Sequence, residues 1–136
     1  MYKIIVAQPL FLADENQTKR NVTSITSILK CIKISSNRKD ISFANPVGWS
    51  PDEKFWNLFC GELEKIFPIK EREGFYCTSY SRNNGKAWLL NEMIYNLEKS
   101  WDYVLTCDSD IILPEDPLFF DKLLNVAKSI GSKFGY

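Results

Sequence analysis

Apolar residues in this chain fall into short unbroken runs separated by longer periodic ones. Ile4, Ile5 and Val6 head a run over residues 2–8 that Gln8-Pro9 closes, which predicts a buried first strand ending in a loop. From about Thr18 to Ile34, Val22, Ile25, Ile28, Leu29 and Ile32 follow the i, i+3, i+4, i+7 rule, predicting a helix that leaves Lys19, Arg20, Lys30 and Lys33 largely outside. Asp40–Asn45 reads as a second strand, closed by Pro46 and Gly48. Ser50-Pro51-Asp52-Glu53 then opens a second helix with Ser50 as its cap, Pro51 in the first position and Glu53 in the third, ending near Phe67-Pro68. Phe75–Tyr80 is a third strand, broken by Asn84-Gly85 before a helix whose apolar face is Ala87, Leu90, Ile94 and Leu97. Tyr103–Cys107 is a fourth strand, and Asp116-Pro117 starts a last helix that turns Phe120, Leu123, Leu124 and Ala127 inward until Gly131.

Strict β-α alternation implies an α/β fold, a mainly parallel sheet covered by helices on both faces with right-handed crossovers. Ser132–Tyr136 reads as the opening of a further strand, so the fold is expected to be truncated. Either a longer chain or a partner then completes the site, and an open sheet edge invites a second copy or a partner chain.

Composition narrows the chemistry more than the fold. With 136 residues, 45% hydrophobic and 25% charged, residues 1–136 form one ordinary globular domain. Lys plus Arg and Asp plus Glu balance at 17 each without a basic stripe, which disfavours nucleic acid as a partner. Cys31, Cys60, Cys77 and Cys107 are irregularly spaced in apolar surroundings and read as core thiols. Lacking a C-x-x-C pair and any histidine, the chain offers neither the common zinc sites nor Ser-His or Cys-His nucleophilic machinery. The N-terminus lacks the charged and apolar regions of a leader, and no window approaches ~18 apolar residues. The expectation is a cytoplasmic protein with no transmembrane segment.

What remains is hard-metal chemistry, and its candidate is Tyr103-Val104-Leu105-Thr106-Cys107-Asp108-Ser109-Asp110. A buried parallel strand runs straight into two carboxylates at i and i+2, and ligands of open α/β sheets bind beyond the carboxyl ends of such strands. Two carboxylates so placed can share a hard divalent cation whose other positions hold substrate phosphate. The bland alternative for Asp108 and Asp110 is a solvated strand-to-loop turn; position at a strand end favours the metal. Glu115 and Asp116 are left out, because Asp116 before Pro117 reads as a helix cap. Trp56 and Trp88 read as core between helix and sheet, and Arg72 and Arg82 as solvated loop residues.

Three segments resemble one family, the N-terminal nucleotide-sugar-binding half of a GT-A glycosyltransferase of the family 2 type. The opening strand Ile4–Pro9 is similar to the family's apolar strand ending in proline. Asn84-Gly85-Lys86-Ala87-Trp88-Leu89-Leu90-Asn91 resembles its N-x-G-K-A-x-A-L-N region, and Trp101–Pro114 its D-x-D segment. The resemblance implies a Rossmann-like sheet and transfer of a sugar from a UDP- or GDP-type nucleotide-sugar to an unknown acceptor, with Mn2+ or Mg2+ as cofactor. It also implies that Asp110 ligates the metal bridging the diphosphate, with Asp108 on the ribose or on the metal through water. Asn84, Gly85 and Lys86 lie near the nucleotide, and Gln8, Pro9 and Leu10 line the base pocket. Ser109 and Asn45 complete the nucleotide-sugar site, Asn45 standing where the family usually carries an aspartate. The acceptor half and the general base of that family fall beyond position 136, so the alternative is a catalytically inactive, glycosyltransferase-like module that binds nucleotide or a partner protein.

Overall fold

The computed structural model describes residues 2–44, 47–68, 78–80, 82–95 and 101–130. Along the chain run β1 (Ile4–Ala7), β2 (Leu10–Phe11), α1 (Glu15–Ile34), a 3-10 turn (Arg38–Asp40), β3 (Ile41–Phe43) and β4 (Val47–Trp49). There follow α2 (Glu53–Ile66), β5 (Thr78–Tyr80), α3 (Lys86–Tyr95), β6 (Tyr103–Thr106) and α4 (Phe119–Ile130). Among the described residues every ladder is parallel, in line with the mainly parallel pairing that the alternation predicts.

The strands form two three-stranded sheets, β3-β1-β6 and β2-β4-β5, where the sequence predicts one. The same two segments build both: β1 pairs β3 with Val6 opposite Phe43, and beyond it β2 pairs β4 with Leu10 opposite Gly48. Between those pairs the second segment carries one residue more than the first, and Pro9 has no N–H to donate to a ladder, so pairing breaks there. Side chains keep their alternation across the break. Ile4 and Val6 pack with Ile28, Cys31, Phe120 and Leu124 of α1 and α4, and Leu10 and Leu12 continue on that side against Ile25, Phe59 and Leu63. Ile5 and Ala7 face Leu89 and Met93 of α3 on the opposite side. Helices thus cover both faces, and β1 is buried throughout.

Local boundaries follow their caps. α1 begins a turn earlier than its apolar stripe suggests, because the Asp14 carboxylate accepts from Gln17 N at 2.7 Å while Gln17 Oε1 accepts from Ala13 N at 3.1 Å. α2 is capped by Asp52, which accepts from Lys54 N at 2.9 Å; Ser50, the expected cap, donates its hydroxyl to the Asp52 carbonyl at 2.6 Å. On α3 the buried face is Leu89 and Met93, and Ala87 and Ile94 are exposed. Seven apolar residues among its ten leave no unique stripe for periodicity to find. Leu97, Phe75, Cys77 and Gly131 lie outside the described residues. Asp116 caps the start of the last helix as predicted, accepting from Leu118 N at 2.9 Å and from Lys122 Nζ at 2.7 Å.

β6 pairs only with β1 among the described residues, and its Val104 and Thr106 are exposed, the pattern of an edge strand. Cys31 and Cys107 are buried and Cys60 is half-buried, each a free thiol. No described helix is long and apolar enough to cross a membrane.

Candidate functional site

β1 has β3, reached through α1, on one side and β6 on the other, so strand order reverses across it. A crevice opens beyond the carboxyl ends of strands at such a reversal. Asp108, Ser109 and Asp110 form the turn that leaves β6 there, closed by Ile111 N donating to the Asp108 carbonyl at 3.2 Å.

A buried polar seam holds this turn from behind. Gln8, fully buried, donates from Nε2 to the Asp108 carbonyl at 2.9 Å and to Ser24 Oγ at 2.7 Å. Ser24 Oγ in turn donates to the Ile111 carbonyl, and Leu113 N donates to Ser27 Oγ at 3.0 Å. Each such bond is worth ~1 kcal/mol net, yet leaving one of these buried groups unpaired costs ~1–3 kcal/mol, so the seam fixes the path of residues 108–113 more than it adds stability.

In front of the turn lies a cleft of about 300 Å³. Gln17, Arg20 and Asn21 of α1 form one wall, Pro9 and Phe11 the floor, and the 108–110 turn with Lys86 the other wall. Asn21 is fully buried; its amide N–H groups go to the carbonyls of Phe11 at 3.3 Å and Gln17 at 2.7 Å, and its Oδ1 has no partner. Lys86, the first residue of α3, pairs its ammonium with the Asp108 carboxylate, both side chains being about half exposed. Gly85 precedes it at φ +90°, with Asn83 Oδ1 accepting from Gly85 N at 3.0 Å and the Gly85 carbonyl accepting from Leu89 N at 3.2 Å. Gly85 therefore occupies the cap position of α3, and Asn83 supplies the side chain of the turn. Asp110 and Arg20 are exposed and have neither an ion pair nor a hydrogen bond to any described side chain. Cys107, just before the turn, has its thiol pushed up from 9.0 to about 11, by burial first and by the Asp108 charge second, so it is no nucleophile at neutral pH.

Of the residues singled out from sequence, the cleft brings together Pro9, Lys86, Asp108, Ser109 and Asp110. Gln8 stands behind the turn, Leu10 is buried between α1 and α2, and Asn84 and Gly85 lead into Lys86 without lining the cleft. Asn45 lies outside the described residues. Sequence reasoning missed Phe11, Gln17, Arg20 and Asn21, and it placed Arg20 on the solvent side of α1. A signal was present: Gln17, Asn21, Ser24 and Ser27 make a polar stripe beside the apolar one, at helical spacing.

Among the described residues no three His, Cys, Asp or Glu side chains converge, so the cleft offers a cation the carboxylates of Asp108 and Asp110 alone. That donor set fits Mg2+ or Mn2+ carried in on phosphate, since Mg2+ is commonly held by one or two carboxylates plus substrate phosphates and water. Set against protein-family models, curated proteins and solved structures, the chain has no match.

Proposed function

We propose that the cleft binds the diphosphate of a nucleotide-activated sugar and that the chain is the donor-binding part of a glycosyltransferase with a Rossmann-like, GT-A type sheet. The observation that carries this reading is the Asp108-Ser109-Asp110 turn at the carboxyl end of β6, beside β1, facing an open cleft of mixed polar and apolar lining. Asp110, without an ion pair or hydrogen bond to any described side chain, would be the primary metal ligand, and Asp108 would join it once its pair with Lys86 opened. A divalent cation held there supplies Lewis-acid stabilisation of the charge that develops on a departing nucleoside diphosphate. Gln8, Ser24 and Ser27 keep both carboxylates aimed at the cleft by fixing the backbone of the turn. Lys86, released from Asp108, is within the same cleft to face phosphate. Pro9 and Phe11 give the floor an apolar patch on which a base or sugar ring can rest.

The test is a thermal-shift panel of nucleoside diphosphates and their sugar conjugates, with and without Mn2+, on the chain and on Asp110→Asn. At a hundredfold its dissociation constant a ligand stabilises by ~2.7 kcal/mol, several degrees for a domain of this size. A Mn2+-dependent shift with one nucleotide that Asp110→Asn abolishes is the expected result. Absence of a shift with every compound counts against the donor site.

A further inference from the structure

The charges around the cleft are unevenly committed. Lys86, the cation that sequence puts nearest the nucleotide, is already neutralised by Asp108. Arg20, on the opposite wall, has no anionic partner among the described residues and is exposed to the cleft it lines. Its backbone is anchored where it matters: Arg20 lies one turn before Ser24, the residue whose hydroxyl ties α1 to the turn after Asp108, and beside Asn21, whose amide ties the same stretch of α1 to the Phe11 carbonyl. A guanidinium on so fixed a base lines the same cleft as the Asp108–Asp110 turn and has no partner among the described residues, and its planar fork is suited to two oxygens of one phosphate.

We infer that Arg20 is the phosphate-recognition residue of the cleft, taking a diphosphate oxygen pair directly, while Lys86 serves in the ligand-free state as the counter-ion of Asp108. The inference rests on the donor-site reading above. It divides the two labours of the cleft: Arg20 senses phosphate with or without metal, and Asp110 senses only the metal-bound form. Arg rather than Lys is needed at position 20, because a lysine offers a point charge in place of the two-pronged contact.

Calorimetric titration in EDTA with inorganic pyrophosphate, and in parallel with UDP and GDP, separates the two. Arg20→Gln should weaken pyrophosphate binding at least tenfold and Arg20→Lys should recover only part of it. Lys86→Met should weaken it less than threefold, and Asp110→Asn, tested without metal, should not weaken it at all. Far-UV circular dichroism and an unchanged melting temperature check that the exposed substitution leaves the fold intact. Pyrophosphate binding that survives Arg20→Gln and is abolished by Lys86→Met overturns the inference. If Mn2+-dependent nucleotide binding is lost in Asp110→Asn but untouched in Arg20→Gln, the donor site stands and the role of Arg20 falls. If the unaltered chain binds neither pyrophosphate nor any nucleotide, with or without Mn2+, both fall together.

Discussion

The two faces of β1 differ in how they reach the Asp108–Asp110 turn. On the α1 side contact is buried and made of directed bonds: Gln8, Ser24 and Ser27 hold the backbone of 108–113, backed by a core of Val6, Ile28, Cys107 and Phe120. On the α3 side the contact among the described residues is an exposed ion pair, Lys86 to Asp108, on a ten-residue helix whose buried residues are Leu89 and Met93. Exposed pairs are worth ~0–1 kcal/mol, so the α3 wall can release the carboxylate at little cost. On the proposed reading the two walls divide the tasks of holding a geometry and admitting a ligand: α1 would set where the carboxylates are, and α3 whether they are available.

That division can be broken from either side. The largest effect belongs to the α1 and α4 face: Phe120→Ala should cost ~3–5 kcal/mol in urea unfolding, because the ring is fully buried against the core beneath the turn. Leu89→Ala, on the thinner face, should fall toward the lower end of ~2–5 kcal/mol. A raised thiol should show itself next. Below pH 9.0 Cys107 is protonated folded or unfolded and contributes no pH dependence; between 9.0 and about 11 only the unfolded chain ionises it, and stability is lost. Unfolding compared with Cys107→Ala should therefore show an excess loss of up to roughly 2 kcal/mol by pH 11.

Ser24→Ala removes the donor to the Ile111 carbonyl and the acceptor of Gln8 Nε2 together, and should cost ~1–3 kcal/mol. Hydrogen exchange should accelerate selectively at the amides of 111–113; uniform acceleration would mean that the seam stabilises the fold at large and does not position the turn. Gly85→Ala should cost about 1–2 kcal/mol from backbone strain alone, since a side chain there meets nothing within 4 Å at φ +90°. Smallest of all is Lys86→Met, expected within about 0.5 kcal/mol of the original stability. A larger loss would show that the α3 wall supports the turn as α1 does.

Much of the layout was legible in the residues. The apolar run of β1 and the period of α1 are strong because burial dictates them, whereas β6 half-buries only Tyr103 and Leu105. Asp108 and Asp110 could be placed at a strand end because the run before them is short and bounded. Other features were not legible for physical reasons. Leu10–Phe11 and Val47–Trp49 are two and three residues long, below any periodicity; the first is a strand because it finds the second beyond Pro9, and the second because it lies between Leu10–Phe11 and Thr78–Tyr80. Gly48 sits there because a Cβ would come within 2.7 Å of Leu10 Cβ, a closeness that no local pattern announces. The start of α1 was written in Asp14 and Gln17, but an apolar stripe cannot mark a helix's polar first turn. Arg20 on the cleft was hidden because its four-residue spacing to Ser24 carries meaning only once the partner of Ser24, 87 positions on, is known.

Cys107 gives the molecule its own internal clock. Its sulfur is sealed in the core one residue before Asp108, so a thiol reagent can reach it only when that stretch lifts away from β1. The labelling rate at Cys107, followed by peptide mass spectrometry, then counts openings of the turn in the native protein. A ligand that seats on the carboxylates slows the clock, without a dye, a tag or a substrate needing to be chosen in advance.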